Sequence, residues 1–394
     1  MREQWLRQYK NTVSERDYRI LDKASRILIQ NIAPNKEGVL WNPYRAITPS
    51  MTEKPNKPGR VYFGGIWNWD SAFHMIGVSR FDKKLAHEQM EAFFLFQKEN
   101  GLLPDVITLP EYGNKIMDQY SKPPVWAWAT EQLDKRQPDI EFLKKMYPKL
   151  VKNESFWRTE RYNSEDGLFF YSTTEQGENR DLYIRWESGL DDSIRFDGGN
   201  IEYLYPIDLN CFMVMFYRSM ASIASVLQKE TESLIWRSKA EALSVLINQK
   251  LWDAENHWYA DANRYTGKVS SVLTPASFMP LYIAIASDAQ AQSMRDIAVE
   301  RFDSKMPTVS FDNPSYSNDY WRGPTWLNVA YFAAKGLKHY GFSVAEDIKD
   351  SILNMCFADT RGIFENYDSK TGKGLCCNHF SWSAVFILEF ILNF

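Results

Sequence analysis

Two acidic segments framed by aromatic residues stand far apart in this chain: Trp186-Glu187-Ser188-Gly189-Leu190-Asp191-Asp192-Ser193 and Gly362-Ile363-Phe364-Glu365-Asn366-Tyr367. A carboxyl group moves protons, and an aromatic face packs on a sugar ring, so the pattern points to carbohydrate chemistry. Glycosidic oxygen is a poor leaving group until protonated, and the opposite face of the sugar must receive a nucleophile. Two carboxyl groups perform both tasks. In the inverting form one donates a proton and the other activates water, with roughly 6.5–9.5 Å between them. No phosphate loop or cysteine cage competes for the chemistry.

Asp191 is the expected general acid. Glu187 and Asp192 crowd it, and like charge with desolvation favours a protonated carboxyl group. Chemistry alone does not choose between Asp191 and Asp192, and the competing reading is a solvated acidic turn. Glu365 is the expected general base, set between Phe364 and Tyr367; its competing reading is an exposed hairpin glutamate. Around them the expected substrate-binding residues are Trp67, Trp69, Asp70, Phe73, His74, Gln97, Trp186, Glu187, Trp321, Arg322, Trp326, Tyr367 and Trp382. Asp70 can cap its helix or bind hydroxyls, and His74 follows one turn later. Arg322, bracketed by Trp321, Gly323 and Trp326, can grip vicinal hydroxyls or an acidic aglycone, against a structural salt bridge. Gln97 offers an amide, against a polar helix edge, and Trp382 a platform, against helix packing. The five histidines have no metal-ligand spacing, so no metal is expected.

These side chains need helices to hold them. Apolar periodicity predicts helices over 13–31, 82–98, 124–135, 139–161, 208–228, 231–251, 275–286, 291–301, 325–340, 343–357 and 381–392. Asp82 caps the second, Asn100-Gly101 stops it, Gly341 ends the 325–340 helix, and Ser343 with Glu346 has capping-box spacing. Residues 32–68 and 102–123 read as loop regions over the site. Three segments repeat loosely as a polar turn followed by aromatics: Arg161 to Phe170, Leu251 to Tyr259 and Ala358 to Glu365. Recurring helix pairs can close into an all-α toroid of inner and outer helices, against a nonrepetitive bundle. β-Branched alternation is scarce, which argues against a central parallel sheet. No Pro/Gly/Ser-rich linker divides residues 1–394, so a single domain is expected.

Composition narrows the class. Of 394 residues 44% are hydrophobic, enough for a substantial core. The 46 basic and 50 acidic residues, net charge −4, leave no basic tract for nucleic acid. Cys211 and Cys356 fall in apolar helical surroundings and read as buried, whereas Cys376-Cys377 reads as more exposed. The N-terminus has no apolar signal core and no run reads as long enough to span a bilayer, so a cytoplasmic protein without a membrane partner is expected.

At these residues the chain resembles glycoside hydrolase family 63, from about Tyr62 to Phe390. Gly65-Ile66-Trp67-Asn68-Trp69-Asp70-Ser71-Ala72-Phe73-His74 resembles the family's first sugar-binding segment. Gln97 with Asn100-Gly101-Leu102-Leu103-Pro104-Asp105, and Pro123-Pro124, resemble further family features. Glu187 to Ser193 resembles the general-acid segment, and that match assigns the acid to Asp191. Tyr320-Trp321-Arg322-Gly323-Pro324-Thr325-Trp326 resembles a substrate-binding signature, and Glu365-Asn366-Tyr367 with Phe380-Ser381-Trp382-Ser383 the general-base region. One motif would be weak, but their shared order is specific. The resemblance implies an (α/α)6 barrel, as in trehalases, and inverting hydrolysis of an α-glycosidic bond without a cofactor. The chain lacks room for a substantial N-terminal β domain. It looks like the compact bacterial mannosylglycerate and glucosylglycerate hydrolase branch. Asp191-Asp192-Ser193-Ile194-Arg195 departs from a common continuation with Asn and Pro, which bears on the aglycone.

The expected function is therefore exo-acting, inverting hydrolysis of a short α-glucoside or α-mannoside, the partner being a small saccharide or sugar conjugate. The competing readings are a trehalase-like glycosidase of other linkage, a noncatalytic glycan-binding protein and a helical protein-binding scaffold. Neither glucose against mannose, nor linkage, aglycone or oligomeric state, is legible from the residues.

Overall fold

Apolar helices alternate along the chain with more amphipathic ones, and the computed structural model, which describes residues 1–55, 57–198 and 201–394, closes them into a ring. Among the described residues six helical segments form an inner circle. They are Asn68–Val78, Trp126–Arg136, Ile207–Val226, Met279–Tyr282 with its preceding turn Pro275–Phe278, Leu327–His339 and Ser381–Leu392. Each touches the next, and the last touches the first. Six others alternate with them in sequence: Glu15–Gln30, Lys83–Phe94, Ile140–Glu160, Glu230–Lys250, Asp288–Ile297 and Val344–Ala358. Glu15–Gln30 packs on Ser381–Leu392, joining the two ends of the chain, and Glu230–Lys250 packs on Ile207–Val226. This is the (α/α)6 barrel.

Burial explains the two layers. Every residue of Asn68–Val78 is buried, as an inner helix requires. Glu230–Lys250 buries only Ser233, Trp236, Ala240, Leu243 and Ile247, a single stripe at helical spacing. Truncating an anchor such as Trp236 would cost about 3–5 kcal/mol. Ile207–Val226 is 20 residues long and apolar enough to cross a membrane, contrary to the sequence expectation, yet 78% of that window is buried inside the ring. Its apolarity comes from facing helices on several sides.

Local chemistry sets most boundaries. Asp82 accepts from the Leu85 amide at 2.9 Å, as expected. Gly341, at φ +77, ends Leu327–His339, and the amides of Gly341 and Phe342 return to the carbonyls of Lys338 and Leu337. Three expectations fail. Ser343 has helical backbone and makes no capping bond, while the Glu346 carboxylate is held by Lys338 and Lys349. The helix from Lys83 ends at Phe94, well before Asn100-Gly101, because the chain turns to close Lys98 N–H on the Leu102 carbonyl at 2.9 Å. Asp70 is no cap either: Trp67 occupies that position and Asp70 lies in the first turn.

The two expected loop regions carry strands. Gly65–Trp67 pairs with Val106–Thr108, which pairs with Ile116–Met117, and this sheet stands beside the site. Glu53–Lys54 pairs with Lys57–Val61, and residue 56 of the expected 32–68 region lies outside the described residues. The three repeated segments form hairpins, Tyr162–Asn163 with Leu168–Phe169, Trp252–Asp253 with Trp258–Tyr259, and Phe364–Tyr367 with Gly374–Asn378. Among the described residues every strand pair is antiparallel. Cys211 and Cys356 are buried as expected; Cys376 is exposed but Cys377 is buried, because it sits inside the last hairpin.

Candidate active site

A cavity of about 320 Å³ is lined by residues from both acidic segments. Trp67, Trp69, Asp70, Trp186, Asp191, Trp321, Trp326, Glu365 and Trp382 all face it. A larger depression of about 450 Å³ near Arg295, Phe342 and Asp347 is lined by no residue of either acidic segment.

Asp191 is presented by a locked turn. The helix Arg180–Glu187 ends at Glu187, whose fully buried carboxylate accepts from Arg161 Nε at 2.9 Å and from the amides of Ser121 and Ser172 at 3.0 and 2.6 Å. Glu187 therefore anchors the turn and does not face the cavity. Next comes Gly189 at φ +73, where an added Cβ would lie 2.5 Å from the Trp69 indole. Only glycine allows that ring to lie against the turn. Asp192 Oδ1 accepts from the Trp321 amide at 2.8 Å, so Asp192 is spent on backbone and Asp191 is left to the cavity.

Glu365 lies on the strand Phe364–Tyr367 and is 4% exposed. Its Oε1 accepts from the Tyr320 phenol at 2.9 Å and its Oε2 from the Cys377 amide at 3.4 Å. The strand register slips between Phe364 and Asn366, with Cys376 at φ +58 on the facing strand. Such a bulge re-aims a side chain.

Burial raises both carboxyl groups. Asp191 is pushed up to about 6, mainly by desolvation and also by Asp105 and Asp192, with the Lys122 ammonium pulling the other way. Desolvation pushes Glu365 up to about 7 against the bonds from Tyr320 and Cys377, with Asp191 adding to the rise. Between about pH 6 and 7 the pair thus shares one proton, which is what an acid and a base acting together require. Burial also raises Asp70 well above the ordinary carboxylate range, with the Lys122 ammonium pulling the other way. The tryptophans form one wall: Trp321 stacks on Trp326 at 3.7 Å, and Trp382 meets Trp69 and Trp326 edge-on at 5.2 and 5.5 Å.

Several expected binding residues lie elsewhere. Phe73 is buried behind the wall against Trp382 and Phe386. His74 is fully buried, bonded to Ser381 Oγ at 2.6 Å, and burial lowers it to about 3, a neutral core histidine. The Gln97 amide is taken by the carbonyls of Lys149 and Gly101 at 2.8 and 3.4 Å. Arg322 forks onto Asp197 at 3.0 and 2.6 Å and donates to the Asp192 carbonyl at 3.0 Å. Tyr367 is buried and its phenol oxygen accepts from the Phe364 amide. Motif position suggested these five and Glu187, but a motif also contains the residues that support it.

Lys122, Tyr120, Phe63, Asp105, Tyr320 and Phe380 also line the cavity, and none of them is among the expected binding residues. A signal for Lys122 existed. It precedes Pro123-Pro124-Val125-Trp126, an entirely buried apolar run in which a charge needs a reason. Among the described residues no cluster of His, Cys, Asp and Glu could hold a metal ion.

Residues 63–383 match the family model described as the mannosylglycerate hydrolase MGH1-like glycoside hydrolase domain. A mannosylglycerate hydrolase of Rubrobacter radiotolerans is 24% identical, the similarity covering 91% of this chain and 98% of that one. A periplasmic trehalase of Citrobacter koseri is 24% identical over 79% of this chain and 62% of its own length. Among solved structures, the GH63 mannosylglycerate hydrolase from Thermus thermophilus in complex with Tris and D-glycerate superposes with a TM-score of 0.75 at 23% identity, covering 94% of this chain and 99% of that one.

Proposed function

The chain belongs to the mannosylglycerate hydrolase MGH1-like glycoside hydrolase family, and we propose that within it Asp191 is the general acid and Glu365 the general base of an inverting, exo-acting α-glycosidase. The observation that carries the assignment is the presence of these two proton-holding carboxyl groups in one tryptophan-walled cavity. Asp191 protonates the glycosidic oxygen while Glu365 draws a proton from water attacking the opposite face. The singly protonated pair is the active form, with its proton on Asp191 when the glycosidic oxygen is attacked.

The substrate is a short α-mannoside or α-glucoside. A cavity of about 320 Å³ sits at the lower end of small-ligand sites and suits one terminal sugar with a small aglycone. The relatives make a glycerate glycoside the first candidate. A second reading, a neutral disaccharide of the trehalase kind, draws support from the lining: Asp70, Asp105, Asp191 and Glu365 face one ammonium, Lys122, while Arg322 is paired with Asp197. Four free cysteines accord with a reducing compartment, which supports placing the enzyme in the cytoplasm.

The test is hydrolysis of defined substrates (mannosylglycerate, glucosylglycerate, trehalose and simple α-mannosides and α-glucosides) with NMR of the first anomer released. Inversion with terminal cleavage is expected. Retention of configuration, or efficient internal cleavage of a long glycan, defeats the reading.

A further inference from the structure

Lys122 is a lysine where burial disfavours one. It is 6% exposed, on a segment whose next residues are all buried, and its ammonium faces the cavity. Nζ donates to the Trp186 carbonyl, at the last turn of the helix that leads into the Gly189 turn. It lies 3.5 Å from Asp105 Oδ1 and 3.7 Å from Asp191 Oδ1. Both of those oxygens are buried and lack any hydrogen-bond partner. Asp105 is held from its other side by the Tyr120 phenol, which donates to Oδ2 at 2.8 Å. The lysine therefore stands between two stranded carboxylate oxygens, one of them on the proposed acid, while tied to the Trp186 carbonyl in the helix that leads into that acid's turn.

We propose that Lys122 is a positioning residue for the reaction: its ammonium fixes the turn that carries Asp191 and balances the carboxyl groups around it, and so sets the pH at which Asp191 can give up its proton. The proposal rests on the catalytic reading of Asp191. The groups facing Asp191 from neighbouring elements are Lys122, Asp105, Asp192 and Glu365, with the phenols of Tyr120 and Tyr320 beyond. Asp70 adds a further carboxyl group on the lysine side. Among these described groups Lys122 is the sole cation. Burial works against its charge, but Asp105, Asp191 and Asp70 outweigh burial and keep it protonated. Take the cation away and those carboxyl groups are left to balance one another with protons alone. Asp191 then holds its proton more tightly and is a weaker acid.

Lys122→Gln keeps a donor for the Trp186 carbonyl and removes the charge; Lys122→Met removes both; Lys122→Arg keeps the charge. Thermal melts establish which variants fold. The readout is the pH dependence of kcat and kcat/KM on the best substrate. The expected result is that the acidic limb moves up by roughly half to one pH unit in the Gln or Met variant. At the new optimum kcat falls about tenfold, and the Arg variant keeps the wild-type limb. A folded Gln or Met variant with its acidic limb unmoved overturns the proposal, because a merely structural lysine would lower stability without shifting the profile. Asp191→Asn is measured alongside. If it retains full activity, the catalytic reading fails; if it is inactive and the Lys122 profile is unmoved, only the role of Lys122 fails.

Discussion

Tyr320 donates its phenolic proton to Oε1 of Glu365 across 2.9 Å, tying the segment that carries Trp321 and Trp326 to the strand that carries the proposed base. The bond favours the ionised carboxylate and holds its proton affinity below what burial alone would impose. Tyr320→Phe removes it. Glu365 should then hold its proton to higher pH, moving the alkaline limb of kcat/KM upward by roughly one unit. A folded Phe variant with an unchanged alkaline limb would count against Glu365 as the titrating base.

Wild-type enzyme should show a narrow bell. Activity needs one proton on the pair, so it falls when a second proton binds, near about 6, and when the last one leaves, near about 7. These are properties of the pair, and the bell does not apportion them between residues. A flat profile between pH 5 and 8 would contradict shared titration. Asp191→Asn and Glu365→Gln should each lower kcat by about 10²–10⁴-fold while keeping shape and fold.

The barrel was legible in the sequence because its signal is repeated. Helix spacing, Asp82 at a cap and Gly341 at a stop each reflect local chemistry that the structure retains. Ser343 shows the limit: the capping spacing is present, but the residue is itself helical and Glu346 is drawn to two lysines. In the site, the acidic and aromatic residues were legible by type. Their division into lining and support was not. Glu187 and Asp191 share one segment, yet one is buried against Arg161 and the other faces the cavity. Arg322 meets Asp197, a partner 125 positions away. Lys122 gains meaning only when Asp105 and Asp191 are brought to it. Such pairings depend on where the ring brings distant segments together.

Gly189 should be among the least replaceable residues. Its backbone lies at φ +73, and a Cβ would meet three atoms of the Trp69 indole within 3.0 Å. Gly189→Ala combines a left-handed backbone penalty with a clash, about 1–3 kcal/mol for the backbone alone. Because the indole forms part of the cavity wall, substrate affinity should suffer along with stability. A variant with wild-type melting temperature and KM would show that the turn and Trp69 are not coupled.

Glu187 carries a different expectation, loss of stability through a buried ion pair. Glu187→Ala leaves the Arg161 guanidinium, 3% exposed, without its carboxylate, and also strands the amides of Ser121 and Ser172. Breaking such a pair costs about 3–5 kcal/mol. Chemical denaturation should show that loss, and a shift under about 1 kcal/mol would mean the pair relaxes into solvent.

Glu365 is expected to stabilise the fold when it is neutralised. Its pKa rises from an ordinary 4.5 to about 7 on folding. The folded state therefore binds a proton more tightly than the unfolded chain between those values, and stability contributed by the protonated group is lost as pH rises through that window. Above about pH 7 the full cost of the buried charge is present, about 3 kcal/mol from the size of the shift. Glu365→Gln carries no charge to bury, so its melting temperature should exceed that of wild type at pH 8 and match it near pH 4.5. The same variant is expected to be nearly inactive, which separates the gain in stability from any gain in function. Equal melting temperatures at pH 8 would mean that the carboxylate is solvated in the folded protein, and the proposed base would lose the burial that tunes it.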